Sequence, residues 1–226
     1  MGESELHEPR ERRKAARKAI LKRMTVVNAV FIVAIIALAG ISISLFGLAS
    51  HYHDSKYRAQ YELVSIFADS ILTARSNIQN MKDDSLPDYD RLGTAVSASI
   101  YLGQAEKAAY AIDVMYPRDS KQSAAFVSIE TATGQAQHVV YSYESKLDSA
   151  IQHNTTYESN STVNALFTNA TGEMTNLVDL VLASWDDARD WQKDPYSLVN
   201  RMDLVAIVSA ATQLEDTCNQ LALLMP

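Results

Sequence analysis

Residues 121–150 read KQSAAFVSIETATGQAQHVVYSYESKLDSA. Small or apolar side chains stand at Phe126, Ile129, Thr133, Ala136, Val140, Tyr143 and Leu147, in steps that alternate three and four. That alternation lines all seven along one stripe of an α-helix, the seam on which helices pack at shallow angles. A strand would need alternation of period two, which is sustained nowhere in the chain.

The same spacing recurs on both sides. Before it come Tyr57, Tyr61, Val64, Ala68, Ile71 and Ile78, then Ala95, Ala98, Leu102, Ala105, Ala109, Ile112 and Tyr116. After it come Met174, Leu177, Val178, Val181, Trp185 and Ala188, then Leu204, Ile207, Ala211, Leu214, Cys218, Leu221 and Met225. The breaks fall at Pro87, at Pro117, at the polar run His153–Thr162 and at Pro195. Proline is poorly tolerated inside helices, and polar clusters mark loops. Asp119 with Gln122 reads as a weak cap for the third helix. Asp194-Pro195 reads as a cap followed by the first position of the fifth. The expectation is an all-α, coiled-coil-like, up-down antiparallel bundle of about five long helices over residues 51–226. Short loops between long helices favour antiparallel neighbours. The loops at 83–90 and 153–162 then share one end of the bundle, and those at 116–120 and 193–197 share the other.

Upstream of the bundle the composition changes. Met24 to Ser50 holds no charged residue, and residues 29–49 read AVFIVAIIALAGISISLFGLA. About 20 apolar residues suffice to cross a bilayer as a helix. Residues 1–23 carry eight basic residues (Arg10, Arg12, Arg13, Lys14, Arg17, Lys18, Lys22 and Arg23) against four acidic ones. Basic flanks stay on the cytoplasmic side. Residues 24–50 are therefore expected to be an uncleaved signal-anchor, with 1–23 a cytoplasmic tail and 51–226 an extracytoplasmic domain. A cleaved leader fits less well, because its apolar core runs only about 7–15 residues. The bundle's first helix is expected to continue from the span, since His51 to Arg58 contains no breaker. Ala37, Gly40, Ser44 and Gly47 share one helix face and make a candidate packing face in the membrane.

The whole chain has 20 basic and 27 acidic residues, a net charge of −7. The part after residue 23 is thus acidic, and the basic tail has no aromatic residue. Nucleic-acid binding is not expected. A single Cys excludes a disulfide scaffold and a Cys-based zinc module. Cys218 sits on the apolar seam of the last helix and reads as a small buried hydrophobe.

The remaining constellations are modest. Asn154-Thr155-Thr156, Asn160-Ser161-Thr162 and Asn169-Ala170-Thr171 are N-glycosylation sequons, which makes Asn154, Asn160 and Asn169 candidate acceptors on an extracytoplasmic domain. His51, Asp54, Asp190 and Asp194 are weak metal-ligand candidates, because both groups fall at the same expected end. They form no complete ligand set, and acidic helix faces are normally solvated. Asp83, Asp84, Asp88 and Asp90 crowd one loop without the spacing of a calcium hand. Trp185, Trp191 and Tyr196 read as packing aromatics. No phosphate loop, dinucleotide fingerprint, nucleophile elbow or metalloprotease motif is present, and no cofactor is expected. The expected function is a non-catalytic interaction, scaffold or accessory-subunit module outside the cytoplasm. Its partners would be the lipid bilayer and other membrane or surface proteins, or further copies of itself. The alternatives are a ligand-sensing domain that signals through a partner and, last, a surface enzyme or metal-binding protein.

Overall fold

The computed structural model describes residues 42, 44–45, 47–52, 55–157, 160–183 and 198–225. They are all-helical, with no strand among them. The chain divides between His53 and Asp54 into two compact units. Of the first, the described residues are helical and exposed, including Leu45, Leu48 and Tyr52. Among the described residues no helix is long and apolar enough to cross a membrane. The expected tail and most of the expected span lie outside the described residues, as do His53 and Asp54, where the first bundle helix was expected to join the span.

The second unit is a helical bundle. Its helices are α1 (55–81), α2 (Asp88–Asp113), α3 (Lys121–Gln152), α4 (Ser161–Leu182) and α5 (Leu204–Leu224), with a 3-10 turn at Leu198–Arg201. Every seam position named above for α3 is buried, and so are those of α5 from Ile207 to Met225. Each fully buried Leu, Ile or Phe contributes about 1.5–3 kcal/mol, so this apolar interior is the main force for folding. Three cross-ties set α2 against α3: Arg91 to Tyr143, Ser99 O from Gln137 Nε2 (3.0 Å) and Asp113 to Ser123. The paired numbers rise on one helix as they fall on the other, so the two run antiparallel. α1 and α2 are tied in the same sense at both ends, through Lys56 Nζ to Met115 O (2.7 Å) and Arg91 Nε to Met81 O (3.0 Å). α5 packs extensively on both α3 and α4. Gln122 Nε2 donates to Asn200 Oδ1 (2.8 Å), which brings the starts of α3 and α5 to one end.

The ends of the helices differ from expectation in ways with a physical cause. α3 is capped by Ser120, whose hydroxyl accepts from Ser123 N, and not by Asp119. Asp194 and Pro195 lie outside the described residues. α5 begins nine residues after Pro195, where the Asp203 carboxylate accepts from Ala206 N (3.0 Å). The residues before it form the 3-10 turn, which buries Leu198, Val199 and Met202. Tyr61, read as a seam position, is exposed, while Tyr57 and Tyr116 are only half-buried. Tyr116 lies at the bundle's edge, its hydroxyl accepting from the buried Gln60 Nε2 (2.8 Å).

The most constrained point is Arg91, 1% exposed. Its Nε donates to Met81 O, and its Nη1 to Asp88 Oδ1 (3.0 Å) and Tyr157 O (3.1 Å). Its Nη2 donates to the Tyr143 hydroxyl and pairs with Asp84 Oδ1 at 2.9 Å. A guanidinium has five N–H donors, and all five find acceptors here. Burial holds the Tyr143 phenol above its ordinary pKa, against the nearby Arg91 charge, so the hydroxyl stays protonated and donates to Met81 O (3.1 Å). The rings of Tyr157 and Phe167 stand edge-on to Tyr143 at 5.2 and 5.5 Å. Two of the four crowded aspartates are thus counter-ions of a buried arginine. A third, Asp83, accepts from Ser85 N and Oγ in a local turn.

Two predictions follow from this packing. Arg91→Met should lower unfolding free energy by on the order of 3 kcal/mol, because buried carbonyls and a phenol lose their partner. Arg91→Lys should recover little, having fewer donors and no planar fork. Chemical denaturation of the three proteins checks both statements. At Gly103 a Cβ would lie 2.7 Å from Gln137 Nε2. Gly103→Ala gains about 1 kcal/mol of helix propensity and forfeits about 1 kcal/mol of hydrogen bond, so it should be near neutral. In a Gln137→Ala background the same change should stabilise by about 1 kcal/mol. A double-mutant cycle reads the difference.

Candidate interaction surface

α2 is apolar on two faces. One is the core seam of Ala95, Ala98, Leu102, Ala105, Ala109 and Ile112. The other points outward. Tyr89, Gly93, Val96, Ile100, Gly103, Lys107, Tyr110 and Val114 are spaced four, three, four, three, four, three and four. This is a second packing seam along the whole helix. All its members except Gly103 are exposed, Tyr89 at 73% and Ile100 at 55%. The α2–α3 cross-ties put α3's exposed Tyr141 about level with Val96, and its exposed Val127 about level with Tyr110. Exposed apolar side chains in such a row, here broken by Lys107 and the buried Gly103, make a candidate interaction surface. The seven-residue repeat was legible in the sequence, but the alanine-rich core seam of the same helix concealed it.

Carboxylates line the α2–α3 boundary beside this seam. Glu106 comes within 3.1 Å of where a Cβ at Gly134 would lie. Asp113 accepts from the Ser123 hydroxyl. Glu130 is held above its ordinary pKa, first by burial and then by the charges of Glu106 and Asp113.

The other expected site residues are dispersed. Among the described residues no group of three or more His, Cys, Asp or Glu could hold a metal. Of the four weak ligand candidates only His51 is described, and it is exposed; Asp54, Asp190 and Asp194 lie outside the described residues. So do Trp185, Trp191 and Tyr196. Of the small-residue face, Ser44 and Gly47 are helical and exposed, while Ala37 and Gly40 are not described. Cys218 is buried, and its thiol is pushed up to about 12, mainly by burial. It is therefore poorly reactive as a thiolate. The three sequon asparagines are all exposed, Asn154 and Asn160 in the loop and Asn169 on α4. No protein-family model, curated protein or solved structure matches the chain.

The raised Glu130 carboxyl carries a pH prediction. The folded chain binds this proton more tightly than the unfolded chain. The group's contribution to stability therefore falls as pH rises from the ordinary carboxylate value of 4.5 through the raised one. Glu130→Gln removes that loss. Its melting temperature should exceed the wild-type value at neutral pH, and the two should converge near pH 4.5 in thermal scans.

Proposed function

We propose that the chain is a single-pass membrane protein whose extracytoplasmic bundle serves assembly rather than catalysis. In this reading residues 1–23 are the cytoplasmic tail, 24–50 the signal-anchor and 51–226 the outer domain. The charge-free 24–50 stretch supports the span, and the exposed helical Leu45 and Leu48 suit a lipid-facing position. The eight basic residues before it support the orientation.

The observation that carries the assembly reading is the outward seam of α2, and its proposed occupant is the α2 of a second copy. In the proposed pair the two copies, anchored in one membrane by the same segment, lie with their α2 helices parallel. Parallel packing on a seven-residue repeat places each seam residue beside its own counterpart. Gly93, Ile100, Lys107 and Val114 then take the a positions, and Tyr89, Val96 and Tyr110 the d positions, while the d position between Val96 and Tyr110, Gly103, is covered by Gln137 of its own chain. In such a pair the residue just before an a position lies beside the partner's a residue. Lys107 then lies level with Glu106 of the partner subunit, and the lone seam charge is answered by an acid once that carboxylate swings outward from its own α3. A single Lys at an a position sets register at some cost in stability. The small-residue face at Ala37, Gly40, Ser44 and Gly47 offers a second contact between the same two chains inside the bilayer.

Cysteine cross-linking in native membranes tests this. Cys218 is buried, so an introduced thiol alone reports. Ile100→Cys should give a disulfide-linked dimer on mild oxidation, and Val205→Cys, at an exposed position on α5, should not. Ile100→Glu should weaken self-association by about tenfold or more, since burying one unpaired charge costs more than about 1.4 kcal/mol. A chain that runs as a monomer in mild detergent and leaves Ile100→Cys uncrosslinked overturns the proposal.

A further inference from the structure

The three sequons are alike in sequence and unlike in structure. α3 ends at Gln152, and Asn154 follows in the left-handed region with φ 51°. Asparagine accepts that conformation better than other non-glycine residues. The turn is held from behind: Asn154 N donates to Ile151 O (3.2 Å), and Thr155 N and Oγ1 both donate to Ala150 O. Tyr157 O then fastens the loop to Arg91. Asn154 and Thr156 stand exposed on this fixed turn, and their side chains make no hydrogen bond among the described residues.

The other two are occupied. Asn160 is the N-cap of α4, its Oδ1 accepting from Thr162 N (2.8 Å), so the carboxamide is committed to the helix and the sequon hydroxyl lies in its first turn. Asn169 lies within α4. Its sequon hydroxyl, Thr171, is 3% exposed and donates to Thr168 O (2.9 Å). A transferase must engage both the carboxamide and that hydroxyl. Thr171 is buried, and the Asn160 carboxamide is held by its own helix although Thr162 is exposed, so only at Asn154 are both groups exposed and free of hydrogen bonds among the described residues.

We infer that Asn154 is an N-glycosylation site of this protein and that Asn160 and Asn169 are not. The donor is a lipid-phosphate-activated oligosaccharide. Asn154 Nδ2 bonds to the sugar's anomeric carbon, and the bond from that carbon to the phosphate oxygen breaks. The lipid phosphate leaves, and one amide proton passes to a base of the transferase. Nothing is oxidised or reduced. The inference rests on the extracytoplasmic placement of residues 51–226 proposed above.

The test is translation of the full chain with microsomes that contain oligosaccharyltransferase, with protease protection measured on the same sample. The expected result is one endoglycosidase-sensitive mobility shift on a protease-protected domain. It should be lost in Asn154→Asp and Thr156→Ala and unchanged in Asn160→Gln and Asn169→Gln. Thr156→Ala leaves Asn154 and its backbone conformation untouched, so loss of the shift there is not loss of the turn. A protected domain with no shift, or a shift that survives Thr156→Ala, overturns the site while the topology stands. A domain open to protease overturns the topology and the site together.

Discussion

A guanidinium taken wholly out of water is tolerated only if each of its five donors is answered. At Arg91 the answers come from the end of α1, the α1–α2 loop, the first residue of α2 itself, α3 and the α3–α4 loop. Apolar packing is non-directional and tolerates sliding, above all where the seam is built of alanines, as on α2. A five-fold hydrogen-bonded cation tolerates none. One residue therefore fixes where α1 stops, how α2 is registered against α3 and where the following loop is fastened. The edge-on contacts of Tyr143 with Tyr157 and Phe167 extend that constraint into α4.

This explains why the sequence reveals some parts of the fold and conceals others. The seams of α3 and α5 were readable because apolar burial repeats with the helix, so spacing alone identifies Phe126 to Leu147 and Ile207 to Leu221. Arg91 was not readable. A charged residue in the first turn of a helix ordinarily faces water, and two of its acceptors are backbone carbonyls, which leave no trace in a residue pattern. The four loop aspartates read only as a crowded loop for the same reason. Their counter-charge sits on a position that composition alone assigns to solvent. The start of α5 was misplaced because Asp-Pro is a strong local signal. The 3-10 turn that replaces it is held by tertiary burial of Leu198, Val199 and Met202 and by the Gln122–Asn200 bond.

α2 takes part in both the core and the outward seam. Its inner face is small, which lets α3 come close enough for Gln137 to bond Ser99 O and sit against Gly103. Close approach narrows the boundary between the two helices, where Glu130 is partly desolvated. The raised pKa of Glu130, with Glu106 and Asp113 beside it, records that crowding. Like charges held together oppose folding, so the apolar interior must outweigh them.

The same carboxylates give the outward seam a direction. An apolar strip alone would associate with any similar surface, in either orientation and in several registers. Lys107 interrupts the strip at one place, and Glu106 immediately precedes it. Burying Lys107 against a wholly apolar partner leaves an unpaired charge, which is costly. Burying it beside an acid supplied by the partner removes most of that cost. In the proposed dimer the partner presents a carboxylate at one level and apolar side chains above and below it, a description α2 itself meets when two copies lie parallel and in register.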